Sequence, residues 1–174
     1  MKLLKWLLAI LIAAWLGQYL LAMMVPRLVM EVLYYRGGDQ GGYNQFTVQP
    51  VADETARTVV RPSPDLLYAS CIYDLADGPL LIEAPIPERY WSMQFYQMNT
   101  DNYAGITNQR EERHRVGSIA KITLVSADQD PAAFTGEVVQ SPTDRGIVLL
   151  RASAIGERSK QQATLNASRC GPPG

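Results

Sequence analysis

The stretch Leu66-Leu67-Tyr68-Ala69-Ser70-Cys71-Ile72-Tyr73-Asp74-Leu75 decides the fold class, because it predicts a β-strand. It is short, mostly apolar and rich in aromatic residues, and Pro62-Ser63-Pro64 stops any regular structure before it. The turn signal Asp77-Gly78 follows, and residues 79–84 form a second apolar run. Residues 66–84 therefore predict a β-hairpin.

The rest of the polar part of the chain has the same character. Residues 90–98 alternate, with Trp91, Met93 and Phe95 on one face of a predicted half-buried strand. Further strands are predicted at 43–48, 57–61, 116–125, 136–139 and 146–151, and a short helix is predicted at 154–166. These short runs with frequent turn residues predict a mainly β domain over 43–165: a compact antiparallel β-sandwich or barrel-like domain.

Residues 1–36 are a different kind of sequence, with 28 apolar residues among them. Between Trp6 and Val25 only Gly17 and Gln18 are not apolar. A helix of that length spans about 30 Å, the thickness of the bilayer hydrocarbon. The run exceeds the apolar region of a cleavable signal peptide, and no A-x-A-like site precedes Pro26. It predicts one N-terminal transmembrane helix acting as an uncleaved signal anchor, with a cleaved signal peptide as the alternative.

The charges that flank this span predict its orientation. Lys2, Lys5 and the amino terminus precede it, whereas Arg27 and Arg36 follow it with Glu31 between them. This bias favours a cytoplasmic N-terminus and a domain in the periplasm of a bacterium, anchored in the inner membrane by a single pass.

The segments that flank the domain are also predicted from composition. Pro26 is expected to end or kink the helix, and residues 27–36 either lie on the bilayer surface or dock on the domain. Residues 37–42 predict a Gly-rich hinge, and residues 166–174 a flexible tail.

Charge and cysteine content limit the classes of function. Past Arg36, 12 basic and 16 acidic residues give a formal charge of −4, which disfavours nucleic-acid binding. Cys71 and Cys170 have no metal-ligand spacing. Cys71 in a strand is typical of a buried free thiol, but a 71–170 disulfide is compatible with an oxidising compartment.

Most catalytic patterns are missing from the sequence. The single histidine, His114, lies in the charge run 110–115, which is typical of a solvated loop, and no pattern predicts a metal or a cofactor. Asp65, Asp74 and Asp101 could do acid–base work if the fold brought them together, although Asp65 and Asp74 also suit turns. The polar patch 99–103 after the aromatic strand suits the edge of a ligand pocket.

Residues 60–70 resemble domain-of-unknown-function family twelve fifty-four, whose hallmark Pro-Asn-x-Asp-Thr-Leu-Tyr-Ser leads into a strand ending Asp-Leu. The matching residues are Pro62, Asp65, Leu67, Tyr68 and the pair Asp74-Leu75. Residues 89–94 resemble its Arg-Tyr-x-Ser-x-Gln strand, 99–103 its Thr-Asn-aromatic ending, and 141–143 with Arg151 its last strand pair. The chain departs from the hallmark at Ser63, Leu66 and Ala69, where polar groups are lost.

The resemblance covers about residues 45–155 and implies a β-rich fold without an established activity. Longer members continue into a second domain, numbered twelve fourteen, which this sequence does not reach. The resemblance therefore implies a partner protein that carries the second domain. The ligand-binding candidates are Arg61, Asp65, Tyr68, Asp74, Arg89, Asn99 and Asp101.

Two functions from different classes fit these observations. The first is a membrane-anchored binding or assembly module without catalysis. The second is a periplasmic hydrolase-type enzyme that uses Asp65, Asp74 or Asp101 with Arg61 or Arg89. A carrier of lipid or of a small ligand would need a hollow domain, of which the sequence gives no sign.

Overall fold

A long N-terminal helix and two β-sheets make up the computed structural model, which describes residues 2–53, 56, 62–108 and 116–173. In chain order the elements are α1 (Lys2–Gly41), β1 (Phe46–Val48), β2 (Leu66–Asp74), β3 (Leu80–Pro85), β4 (Trp91–Gln97), β5 (Asn102–Thr107), β6 (Ile119–Val125), a 3-10 turn (Pro131–Ala133), β7 (Glu137–Gln140), β8 (Arg145–Ser153), α2 (Arg158–Asn166) and β9 (Arg169–Gly171).

The two sheets face each other across one hydrophobic core. The first sheet has the strand order β1-β2-β8-β4-β5 and the second β7-β6-β3-β9. Paired strands are antiparallel, apart from the parallel pair β6 and β7. Alternate side chains from both sheets, including Trp91, Phe95, Ile82 and Ile122, are fully buried in this core. The sheets do not close on themselves, which confirms the sandwich form of the mainly β prediction.

Helix α1 is unbroken from Lys2 to Gly41, and none of its most apolar stretch is buried in the protein. The prediction that Pro26 ends the helix is therefore wrong. Proline removes one backbone hydrogen bond inside a helix, but the residues on both sides of Pro26 keep the helical conformation here.

The Gly-rich segment also differs from the predicted hinge, because it is helical through Gly41. Its glycines let the helix approach the sandwich closely: a Cβ on Gly37 would lie 2.7 Å from the Ile72 side chain. Packing of this kind overrides the low helix propensity of glycine. The helix ends at Gly42, whose φ of +80° suits a C-terminal cap and whose N–H donates to the Gly38 carbonyl at 2.8 Å.

The predicted hairpin over 66–84 is wrong. Strand β2 pairs with β1 and β8, whereas β3 pairs with β6 and β9 in the facing sheet. The turn at Asp77-Gly78 is present, with the Gly78 N–H donating to the Leu75 carbonyl at 3.1 Å. A local turn signal does not reveal whether the chain turns back along its own sheet or crosses to the other one.

The C-terminal residues also differ from the flexible tail that composition predicts. Strand β9 pairs with β3, and Cys170 forms a disulfide with Cys71, with the two Cα atoms 6.5 Å apart. Leu165 of α2 is fully buried in the core, so the preceding helix carries the tail onto the second sheet. The disulfide therefore joins the first sheet to the second.

The other strand predictions hold, with shifted ends for β1, β3, β4, β6, β7 and β8, and the predicted C-terminal helix is present from Arg158. Strands β5 and β9 were not predicted, because their short sequences show little apolar alternation. The predicted strand 57–61 lies outside the described residues.

Removing the disulfide should lower the free energy of unfolding, because the bond closes a loop whose ends are 99 residues apart. The double variant Cys71→Ala/Cys170→Ala should lose about 2–5 kcal/mol in urea unfolding. Wild-type protein treated with dithiothreitol is the control and should show a similar loss. Equal unfolding midpoints for oxidised and reduced wild type would contradict the bond.

A helix–sandwich clamp as the candidate functional site

The last three turns of α1 pack on the sandwich through one face. Met30, Tyr34 and Gly38 are buried and spaced four residues apart, as expected for one face of a helix. Of the two positions that the sequence allows for residues 27–36, the structure shows docking on the domain.

A hydrogen bond joins this helix face to the end of β2. The Tyr34 hydroxyl donates to Asp74 Oδ2 at 2.7 Å, and the Ala76 N–H donates to Asp74 Oδ1 at 2.9 Å. Asn44 binds the backbone of the same residue twice: Asn44 Nδ2 donates to the Asp74 carbonyl at 2.9 Å and Asn44 Oδ1 accepts from the Asp74 N–H at 2.7 Å. These bonds give the Asp74 carboxylate a structural role.

An ion pair reinforces the contact from the neighbouring strand. Arg145 of β8 pairs in register with Asp74, and its guanidinium donates to Glu31 Oε1 at 3.1 Å. Its Cζ atom lies 5.1 Å from the centre of the Tyr34 ring, within range of a cation–π contact. We call Glu31, Tyr34, Asp74 and Arg145 the clamp.

The clamp stabilises the charged form of Arg145, as the direction of its pKa shift indicates. Partial burial lowers the pKa of Arg145, but the Glu31 carboxylate and a hydrogen bond to Tyr35 raise it, and the net shift is upward. Two tyrosines beside Tyr34 complete the surroundings: its ring centre lies 5.5 Å from that of Tyr35 and 5.0 Å from that of Tyr43.

Behind the clamp, the hydroxyl groups of buried Tyr73 and Ser141 and of partly buried Tyr103 form a cluster. Tyr73 OH lies 2.8 Å from Ser141 Oγ and 3.1 Å from Tyr103 OH, and Ser141 Oγ donates to the Thr143 carbonyl at 2.6 Å. Burial raises the pKa of both tyrosines further above neutral pH. The cluster fixes the 141–144 turn, from which β8 and the clamp residue Arg145 begin.

The candidate residues predicted from sequence are dispersed. Asp65 is exposed in the turn before β2, and Asp74 ends the same nine-residue strand, so the two carboxylates lie about 25–30 Å apart along it. Tyr68 lies near the start of β2, where its hydroxyl accepts from the Ser63 N–H at 3.0 Å. Arg61 and His114 lie outside the described residues.

Asn99 and Asp101 contact each other, but as parts of one turn. Asn99 Nδ2 donates to Asp101 Oδ2 at 2.7 Å and the Asp101 N–H donates to Asn99 Oδ1 at 2.9 Å, between β4 and β5. Gln97 Nε2 also donates to Asp101 Oδ2, at 3.2 Å. Arg89 is exposed in the turn before β4. Within the described part of the chain, no three His, Cys, Asp or Glu side chains are placed to hold a metal ion.

Sequence reasoning missed the clamp partners Glu31, Tyr34 and Arg145. The spacing of Met30, Tyr34 and Gly38 was a detectable signal of a packed helix face. The strand partners of Tyr34 and Glu31 could not be predicted from local sequence. Asp74 is 40 positions from Tyr34, and Arg145 is 114 positions from Glu31.

Comparison with known proteins gives a family and a fold. The family model described as "Protein of unknown function (DUF1254)" matches residues 43–169. The crystal structure of the VPA0106 protein from Vibrio parahaemolyticus is similar, with a TM-score of 0.58 and 18% identity over 83% of this chain and 35% of that chain.

A second solved structure, of a putative uncharacterized protein from Burkholderia cenocepacia, has a TM-score of 0.43 and 15% identity, covering 66% of this chain and 32% of that one. The chain thus spans about a third of the length of these two solved structures. Among curated proteins, no similar sequence is found.

The clamp can be tested by a double-mutant cycle on its hydrogen bond. Tyr34→Phe and Asp74→Ala should each lower the free energy of unfolding in detergent by about 1–3 kcal/mol. The double variant should lose less than the sum, because both substitutions remove the same bond.

Asp77→Ala is the matched control for this cycle. Asp77 is exposed in the turn that follows Asp74, and its replacement should leave stability within about 0.5 kcal/mol of wild type. Additive losses for Tyr34→Phe and Asp74→Ala would show that the two side chains do not act together.

Proposed function

Because the chain belongs to the DUF1254 family, whose function is unknown, we propose its role from its architecture: a periplasmic binding or assembly module anchored in the bacterial inner membrane. The observation that carries the proposal is the continuous helix α1. Its apolar part is unburied along its length, and its last turns are clamped to the sandwich.

Two observations support a location of the sandwich on the periplasmic side of the membrane. Lys2 and Lys5 precede the apolar stretch, which favours a cytoplasmic N-terminus. The disulfide between Cys71 and Cys170 fits an oxidising compartment, because such bonds rarely persist in the cytosol. Charge and cysteine chemistry therefore favour the same topology.

The clamp also supports a fixed position of the sandwich above the bilayer. From Tyr34 beside Asp74, the helix passes Ile72 at Gly37 and Thr47 at Gly41, so it runs antiparallel to β2. The Asp74 end of the sheet is thus the end nearer the apolar span. Met30, the first buried residue, comes five residues after Val25, or about 7.5 Å along the helix.

The loops at this end are joined to one another. The Leu75 N–H donates to the Asp144 carbonyl at 2.9 Å, and the Ser141 N–H donates to the Val125 carbonyl at 2.8 Å. Asp77, Asp101 and Asp144 are exposed in these loops. Acidic groups do not draw a protein to anionic lipid, so attachment rests on the helix.

We also propose that this module works with a partner protein that carries the second domain of longer family members. An anchor confines two such proteins to the same membrane, which raises their effective concentration. Co-purification from solubilised membranes should recover that partner, and repeated recovery of this chain alone would contradict the partnership.

Reporter fusions test the topology. Alkaline phosphatase fused after Gly174 should be active, and a cytosolic green fluorescent protein fused at the same point should be dark. Mass spectrometry of the mature protein should find residues 2–25 retained. Phosphatase inactivity with a bright fluorescent fusion would overturn the periplasmic placement, and a new N-terminus after Val25 would show a cleaved signal peptide.

A further inference from the structure

The outer face of the first sheet carries an arginine, Arg151, and none of its described neighbours on that face carries a balancing negative charge. Along β8, Val148, Leu150 and Ala152 are buried in the core, so Arg151 lies on the opposite face. Its Nε atom is buried and has no hydrogen-bond partner among the residues that the structure describes. A buried guanidinium N–H without an acceptor is costly and needs an explanation.

The strand register identifies the residues around Arg151. Tyr68 of β2 and Ser92 of β4 are its direct cross-strand neighbours. When diagonal and same-strand positions are included, five neighbours of Arg151 carry hydroxyl groups: Tyr68, Ser70, Tyr90, Ser92 and Ser153. The remaining three are Leu66, Gln94 and Leu149.

None of these neighbours carries a carboxylate. The ion pairs found among the described residues, Lys121–Glu83 and Arg145–Glu31, do not involve Arg151. Among its described neighbours, Arg151 is therefore a cation surrounded by hydroxyl groups, which is the chemistry that binds oxyanions. The guanidinium offers two parallel N–H donors to a carboxylate or a phosphate.

Tyr68 is placed to add a further donor. Its hydroxyl oxygen already accepts from the Ser63 N–H at 3.0 Å. Among the described residues, the Tyr68 hydroxyl makes no other hydrogen bond. The hydroxyl proton is therefore free to donate. Ser92 is 1% exposed and its Oγ atom lies 3.0 Å from the Tyr90 hydroxyl, so these two groups bind each other.

The position of Arg151 points to a ligand from solution. It lies six residues beyond Arg145 along β8, or about 20 Å farther from the membrane-proximal end. The headgroups of the membrane that holds α1 do not reach that far.

We propose that Arg151 and Tyr68 form a binding site for the carboxylate or phosphate group of a water-soluble ligand. This site gives the chemical class of ligand that the proposed binding module would take. The inference rests on the proposed function only for the compartment in which the ligand is met. Anion binding by the purified protein does not depend on topology, so failure of one experiment is distinguishable from failure of the other.

The test uses the full chain in a neutral maltoside detergent with its disulfide intact. Calorimetric titration with inorganic phosphate, and separately with acetate, is compared with chloride at equal ionic strength. Wild-type protein should bind at least one of the two oxyanions, and Arg151→Gln should bind it at least about tenfold more weakly. Arg158→Gln, at an exposed position on α2, is the matched control and should bind like wild type.

Two more variants keep the result interpretable. Arg151→Lys retains the charge but loses the paired N–H donors, so its affinity should fall between wild type and Arg151→Gln. Tyr68→Phe should weaken binding without abolishing it. If neither anion binds to wild type, or if a folded Arg151→Lys or Arg151→Gln variant binds as tightly as wild type, the proposal is overturned.

Discussion

The hydrogen bond from Tyr34 to Asp74 is the contact on which the arrangement of helix α1 and the sandwich depends. It joins a helix whose other end is exposed and apolar to the end of strand β2. Arg145 supports it from two sides, through its ion pair with Glu31 and its contact with the Tyr34 ring. Without this clamp, the glycines that end α1 would favour a flexible connection, and the sandwich would be tethered without a fixed orientation.

The sandwich itself is closed by a second long-range constraint. Two sheets with open edges are held together by a shared apolar core, and the disulfide from Cys71 to Cys170 adds a covalent connection between them. Since α2 buries Leu165 and then delivers β9 to the edge of the second sheet, the C-terminal residues are part of the fold. The anchor and the disulfide both attach to β2, which makes that strand the common support of the molecule.

The sequence was informative wherever local pattern and structure coincide. Alternation predicted β4 with its buried Trp91, Met93 and Phe95, and the apolar run predicted the helix through Trp6–Val25. Local pattern failed wherever distant residues decide the outcome. Gly37, Gly38 and Gly41 are helical because Ile72, Tyr43 and Thr47 pack against them.

In the candidate site too, local pattern identified some residues but not the distant residues that they contact. The sequence singled out Asp74, but only as a turn residue or acid, because its partner Tyr34 is 40 positions away and in another element. Tyr68 was chosen from a resemblance, and its neighbour Arg151 becomes visible as part of the same site only through the pairing of β2 with β8. Together these features describe a protein whose long apolar helix is held against the Asp74 end of β2, with Arg151 on the outer face of the same sheet.

The most direct test of this account is a distance measurement between the span and the sandwich. Spin labels on cysteines introduced at Met24 and Ile155, two exposed positions, leave the native disulfide unlabelled. In lipid nanodiscs, electron–electron double resonance should give one narrow distance distribution, which broadens when Tyr34→Phe and Asp74→Ala are added. A broad distribution in the otherwise unaltered protein would contradict a clamped sandwich.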